Sequence, residues 1–140
     1  MQTLDTTPKN KLPFEMDYNF NKCFKATVVL PLAATVMFDT SGEVVPCTTD
    51  KDYPLGTVTV PADKVGDKVT VAINARAVVR AEATVALAVG DRVSVDGVDA
   101  ANNTKYKKAA TGKVAVGYAL EPIAVGATGE IAIYYQPVLA

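Results

Sequence analysis

The side chains able to do chemistry in this chain of 140 residues are carboxylates, lysines and two cysteines, for it holds no histidine. The commonest general base, the commonest metal ligand and every Ser-His or Cys-His nucleophile pair are therefore missing. Glu82, Asp91, Glu121 and Glu130 fall near the ends of expected strands, where a close pair could divide acid and base roles. Nothing in their spacing brings two together, and they read as solvated or turn-capping groups. Residues 96–103, DGVDAANN, offer oxygens to calcium but lack the alternating acidic positions and distal glutamate of such a loop. Thr111-Gly112-Lys113 lacks the upstream glycine of a phosphate loop. Cys23 and Cys47 are too few and too far apart for zinc. They could form one bridge, stay free or serve as small buried hydrophobes; the sparse cysteine usage points to two unbridged thiols and a reducing compartment. The expectation is no catalytic residue, no metal, no cofactor and no enzyme activity.

Charge narrows the partners. With 14 basic and 15 acidic residues the net charge is −1, so no overall field attracts nucleic acid or an anionic membrane. Lys105, Lys107, Lys108 and Lys113 cluster, but Asp96 and Asp99 lie close in sequence. The cluster reads as a solvated sheet edge where lysines discourage strand-to-strand aggregation. The longest apolar run, residues 26–38, is interrupted by Pro31 and too short to span a bilayer. No secretory leader is expected, and Asn102-Asn103-Thr104 matches the glycosylation pattern by chance.

These side chains must be placed by strands. Valine and alanine dominate the hydrophobic 49%, with no tryptophan, a mixture that favours sheets. Short Val/Thr/Ile runs recur about every ten residues between turn clusters: TVVL, ATVMF, GEVVPC, GTVTV, DKVTVAI and their successors. The spacing predicts an all-β chain, a small β-barrel or sandwich, with a single β domain over residues 26–140. Residues 75–89 hold enough alanine for a helix, but the alternation Val85, Leu87, Val89 favours a strand, with a helical turn near residues 81–83. A further strand is expected over residues 104–108.

Residues 1–25 differ in kind. Leu12, Phe14, Met16, Tyr18 and Phe20 keep an even spacing, followed by Phe24, which suits an extended strand with one apolar face. This arm either packs on its own domain or lies on another subunit. Tyr134 and Tyr135 are adjacent on a strand and so face opposite ways, one towards a core and the other towards a partner, or both half-buried at a sheet border.

VGDKVTV at residues 65–71 returns as VGDRVSV at residues 89–95, and more loosely as VGATGEIAI at residues 125–133. Glycine after valine before an alternating strand is hairpin or corner chemistry. The unequal intervals exclude a solenoid of fixed period. One turn is used three times.

The second half, AEATVALAVGDRVSVD, then a lysine-bearing strand, then TGKVAVGYALEPIAVGATGEIAIYY, resembles the capsid cement or head decoration proteins of tailed bacteriophages. The resemblance covers roughly residues 66–140, carried by the GD-V strand, by Gly117-Tyr118-Ala119-Leu120-Glu121 and by the last strand. It implies a β-tulip-like domain, a homotrimer and a virion protein, made in the host cytoplasm, that binds the major capsid protein on the outer shell where capsomers meet. It offers no catalytic residue to carry over. The arm, residues 12–24, would then add contact area to a neighbour. An alternative is an adhesion or carbohydrate-binding module of a head fibre, with Tyr53, Tyr106 and Tyr118 as platforms; a small hydrolase is a third reading without a base to support it.

Overall fold

The computed structural model describes residues 21–74 and 76–140, without the side chains of Tyr135 and Gln136. Leu12, Phe14, Met16, Tyr18 and Phe20 lie outside the described residues. Ten strands are formed among the described residues: β1 (Asn21–Lys25), β2 (Thr35–Phe38), β3 (Val44–Pro46), β4 (Gly56–Val60), β5 (Lys68–Ile73), β6 (Ala77–Ala83), β7 (Arg92–Val98), β8 (Thr104–Lys108), β9 (Val114–Ala119) and β10 (Thr128–Leu139). The described chain is all-β, as the short alternating runs require.

Alternation builds two cores. Val36, Val58, Val69 and Val71 turn inward from β2, β4 and β5 onto Leu30 and Val44. Val79, Val93, Val95, Val116 and Ile131 do the same around Tyr106 in the second half. Each such side chain contributes roughly 1.5–3 kcal/mol on leaving water. The first sheet runs β1-β5-β4-β2-β3, and the second closes into a barrel, β9-β10-β6-β8-β7.

The two halves follow one plan. β1 meets β5 through Asn21↔Ala72 and Lys25↔Lys68, as β6 meets β10 through Val78↔Ala132 and Glu82↔Thr128. Gly56 stands opposite Val36 and Ile73, as Gly117 stands opposite Val93 and Ile133. The parallel bridge Ala26↔Val44 repeats the parallel pairing Ala83↔Tyr106. Read from β1 and from β6, the circuits are the same. The duplication is written in the sequence as ATVVL at residues 26–30 and ATVAL at residues 83–87.

The recurring glycine turn is the corner of this plan. In Lys64–Asp67, Ala88–Asp91 and Ala124–Ala127 the fourth amide donates to the first carbonyl at 3.0–3.1 Å, and the third residue is glycine with φ of +88°, +85° and +77°. That is the arrangement of a type II turn. Each glycine amide also donates to a buried alanine carbonyl, Gly66 to Ala26, Gly90 to Ala119 and Gly126 to Ala83. Each of those alanines donates back to the residue after the glycine. A fourth corner carries no glycine: Ala34 donates to the Pro31 carbonyl, Ala33 to that of Val58, and Val58 back to Ala34, with Ala33 at φ +71°. Leu32, Val65, Val89 and Val125 are the exposed second residues of the four turns.

Several expectations need correction. Residues 27–30 and 84–90 are not strands; each touches its neighbour through one bridge, Leu30↔Ala62 and Leu87↔Ile123, before turning a corner. Residues 81–83 are the end of β6 rather than a helical turn. The lysine strand β8 is not a sheet edge, because it lies between β7 and β6 in the closed barrel. Asn21–Lys25, the last residues of the expected arm, form an edge strand on β5, the own-domain alternative, and the Phe24 ring meets Phe38 edge-on at 5.3 Å.

The halves meet along a partly polar seam. Thr35 Oγ1 and the Tyr106 hydroxyl are 2.6 Å apart, and the Thr35 amide donates to Thr104 Oγ1 at 2.9 Å. Cys47, Ala33 and Met37 of the first half pack on the core of the second. Asn102 Nδ2 donates to the Val29 carbonyl, the Val114 amide to that of Asp50, and Lys107 lies 3.1 Å from the Asp50 carboxylate.

Candidate interaction surface

Of the four candidate carboxylates, Asp91 and Glu121 accept backbone hydrogen bonds, and Glu82 and Glu130 sit in β6 and β10. Asp91 accepts from the Ala88 amide inside its own turn and lies 3.9 Å from Lys108. Glu121 accepts from the Glu130 amide at 2.9 Å and lies 3.8 Å from Arg80. The fold thus brings Glu121 to Glu130, through backbone rather than paired carboxyls. Glu82 sits opposite Thr128 and Lys105 in β6. In the loop once compared with a calcium site, Asp99 accepts from the amides of Ala101 and Asn103 and from Asn103 Nδ2. The backbone amide of Asn103, then its side chain, hold the Asp99 carboxyl below its usual range. No group of three or more His, Cys, Asp or Glu able to hold a metal occurs among the described residues.

Two of the four clustered lysines form ion pairs. Lys107 reaches Asp50 and Asp96, and Lys108 reaches Asp91. The hydrogen bond from Lys107 is the main cause that lowers the Asp50 carboxyl below its ordinary value. Both cysteines are free, as their sparse usage suggested: Cys23 is exposed and Cys47 buried, its thiol pushed up to about 12 by burial and then by Asp52. Burial likewise pushes Tyr106 up to about 12, so this phenol belongs to the seam and not to an exposed platform.

What the surface does offer is a groove on the second half. Arg76, Val78, Arg92, Tyr118, Leu120 and Tyr134 are prominent in its lining, from β6, β7, β9, β10 and their flanks, around a cavity of about 930 Å³. These side chains point outward because the alternate ones, Val79, Val93 and Ile131, fill the barrel. Tyr118 and Tyr134 rings lie 5.8 Å apart. Val78 is 61% and Tyr118 39% exposed, so apolar surface and two guanidinium groups share one depression.

Of the residues singled out from the sequence, Tyr134 is half-buried in this groove, while Phe24 lies in β1 partly buried against the first core. The side chain of Tyr135 is outside the described residues. Arg76, Val78, Arg92 and Leu120 were missed, because they come together only when β6, β7 and β9 share a face. The usable signal was the ATVVL/ATVAL match, which aligns Thr35 with Arg92.

No family model and no curated protein sequence matches the chain. Among solved structures, the N base of the head fibre protein gp8.5 of bacteriophage phi29 is similar, with a TM-score of 0.60 and 16% identity over 86% of this chain and 98% of that one. The chain shares the fold of that phage head-fibre base.

Proposed function

We propose that the chain is a structural protein of a phage head, bound to the outer shell as a cement or decoration subunit and not an enzyme. The observation that carries this reading is the fold shared with a head-fibre base over nearly the whole length of that chain. The resemblance of residues 66–140 to cement proteins points the same way. Binding that occurs only on the mature lattice adds its free energy to the lattice by linkage. The partner is then the major capsid protein, and the protein assembles as a homotrimer with neither nucleic acid nor membrane as ligand. Leu12, Phe14, Met16, Tyr18 and Phe20 supply arm contacts, with Tyr134 and Tyr135 at the terminal strand, while Phe24 packs on the first core.

The test is to add the purified protein to mature heads that lack it and to measure occupancy and resistance of the heads to heat. Saturable binding with raised resistance is the expected result; absence of binding to mature heads would sink the proposal. Removing residues 1–20 should leave a folded body with reduced occupancy, and unchanged occupancy would remove the arm from the contact.

A second reading is favoured by the character of the neighbour, a fibre base: the chain anchors a fibre or glycan-binding element to the head. Glycan-array binding by the isolated protein, with no stabilisation of heads, would select it.

A further inference from the structure

We infer that the groove on the second half is the docking surface for the first half of a second copy of this chain, in a head-to-tail arrangement. The duplication carries the inference. Thr35 and Thr57 point outward from the first sheet, yet they are 1% and 5% exposed. The second half covers them: Tyr106 and Thr104 bond Thr35, while Val116, Ile133 and Tyr134 share a narrow crevice with Thr57. The register fixes their counterparts. Thr35 lies opposite Thr57 in β2 and β4, as Arg92 lies opposite Tyr118 in β7 and β9. Arg92 and Tyr118 are exposed and line the groove. A face that is buried in the first half is therefore open in the second.

The same register names what should cover it. Tyr106, which reaches Thr35, corresponds to Val44, since the parallel contacts are Ala83↔Tyr106 and Ala26↔Val44. A second copy seated in the equivalent way brings β3 and its approach over Arg92. That approach carries two carboxylates: Glu43, which precedes Val44 and lies 3.7 Å from Lys25, and Asp39, which accepts from the amides of Ser41 and Glu43. Where the internal seam joins a threonine to a phenol, the seam between copies joins an arginine to carboxylates. Tyr53, 56% exposed in the connection after β3, adds an apolar side chain to meet Val78 and Tyr118. Such a contact is heterologous, using different faces of the two copies, and closes into a ring when the rotation permits.

This deepens the homo-oligomer proposed above and rests on it only in requiring a second copy; it does not depend on binding to a shell. The test is sedimentation of the full chain, of Arg92→Glu, of Glu43→Arg and of a 1:1 mixture of the two variants. Circular dichroism confirms that each is folded, and Val78→Asp serves as an independent groove variant at an exposed site. The unaltered chain should sediment as an oligomer and each variant as a single chain. The mixture should associate again beyond pairs, because one contact joins the intact groove to the intact acidic face and the next joins the two reversed charges. An oligomer unaffected by all three substitutions would overturn the assigned surface while leaving self-association standing. A chain that stays single at every concentration overturns the inference, and if it still binds heads the structural role survives.

Discussion

The hydroxyl groups of Thr35 and Tyr106, from the two halves of one duplicated fold, lie 2.6 Å apart, both fully enclosed. Neither has water to replace the other. Thr35→Val should remove one of the phenol's two hydroxyl partners, leaving Thr104, and cost about 1 kcal/mol, and Tyr106→Phe, which leaves both threonines without the phenol, should cost about 1–3 kcal/mol. The double variant should lose less than the sum, because the bond between the two hydroxyls is already lost in each single variant. Chemical denaturation of the four proteins measures the coupling, and strict additivity would show that the pair does not interact.

Gly56 and Gly117 occupy the same place in the two circuits, and a Cβ at either would run into a carbonyl oxygen, of Ala72 or Ala132. Backbone cannot swing aside as a side chain can. Gly56→Ala and Gly117→Ala should each cost about 2–4 kcal/mol. A thermal midpoint that does not move in either variant would contradict this close approach.

The corner residues Gly90 and Ala33 make the opposite comparison. Space around Gly90 is open, so Gly90→Ala meets only the cost of placing an L-residue at positive φ, about 1–2 kcal/mol. Ala33 already bears that strain, and Ala33→Gly relieves it while losing a small contact with the second core. The expected outcome is a clear loss for the first substitution and little change or a gain for the second, read from denaturation midpoints.

Thiol reactivity should separate the cysteines. The native chain should take up one equivalent of a maleimide at neutral pH, at Cys23, because Cys47 is enclosed and its thiolate is disfavoured. Unfolded protein should take up two. Mass spectrometry after short exposure gives the count.

Acid should weaken the seam through Asp50. Its carboxyl is lowered in the folded state by Lys107, so the stabilisation is present above the unfolded carboxylate value and is lost as pH falls through the lowered one. Asp50→Asn should flatten that part of the thermal midpoint against pH, and an unchanged acid slope would remove Asp50 from the account.

Much of the scaffold was legible where one strand decides it. Period-two alternation placed β4 at Gly56–Val60 and β8 at Thr104–Lys108 without error, and valine-glycine pairs located three corners. The fourth corner was invisible, since Ala33 takes the glycine's place and only long-range bonds from Val58 hold it. The status of β8 could not be read locally, because a lysine-bearing strand looks the same at an edge as inside a closed barrel. Nor could the groove, whose arginines and tyrosines lie far apart in sequence and converge through pairing.

Two copies of one circuit in a single chain create a hazard during folding, because each strand has a second address. Misassembly between similar neighbouring units is a characteristic failure of repeated domains. Here the equivalent interior positions have diverged in size. Val44 fills in the first core the place that Tyr106 fills in the second, and both are fully enclosed. A strand exchanged between halves would force a phenol ring into a space shaped for valine, or leave a void where the ring belongs. The asymmetry that gives the seam its tyrosine also acts as proofreading, directing each strand to its own sheet.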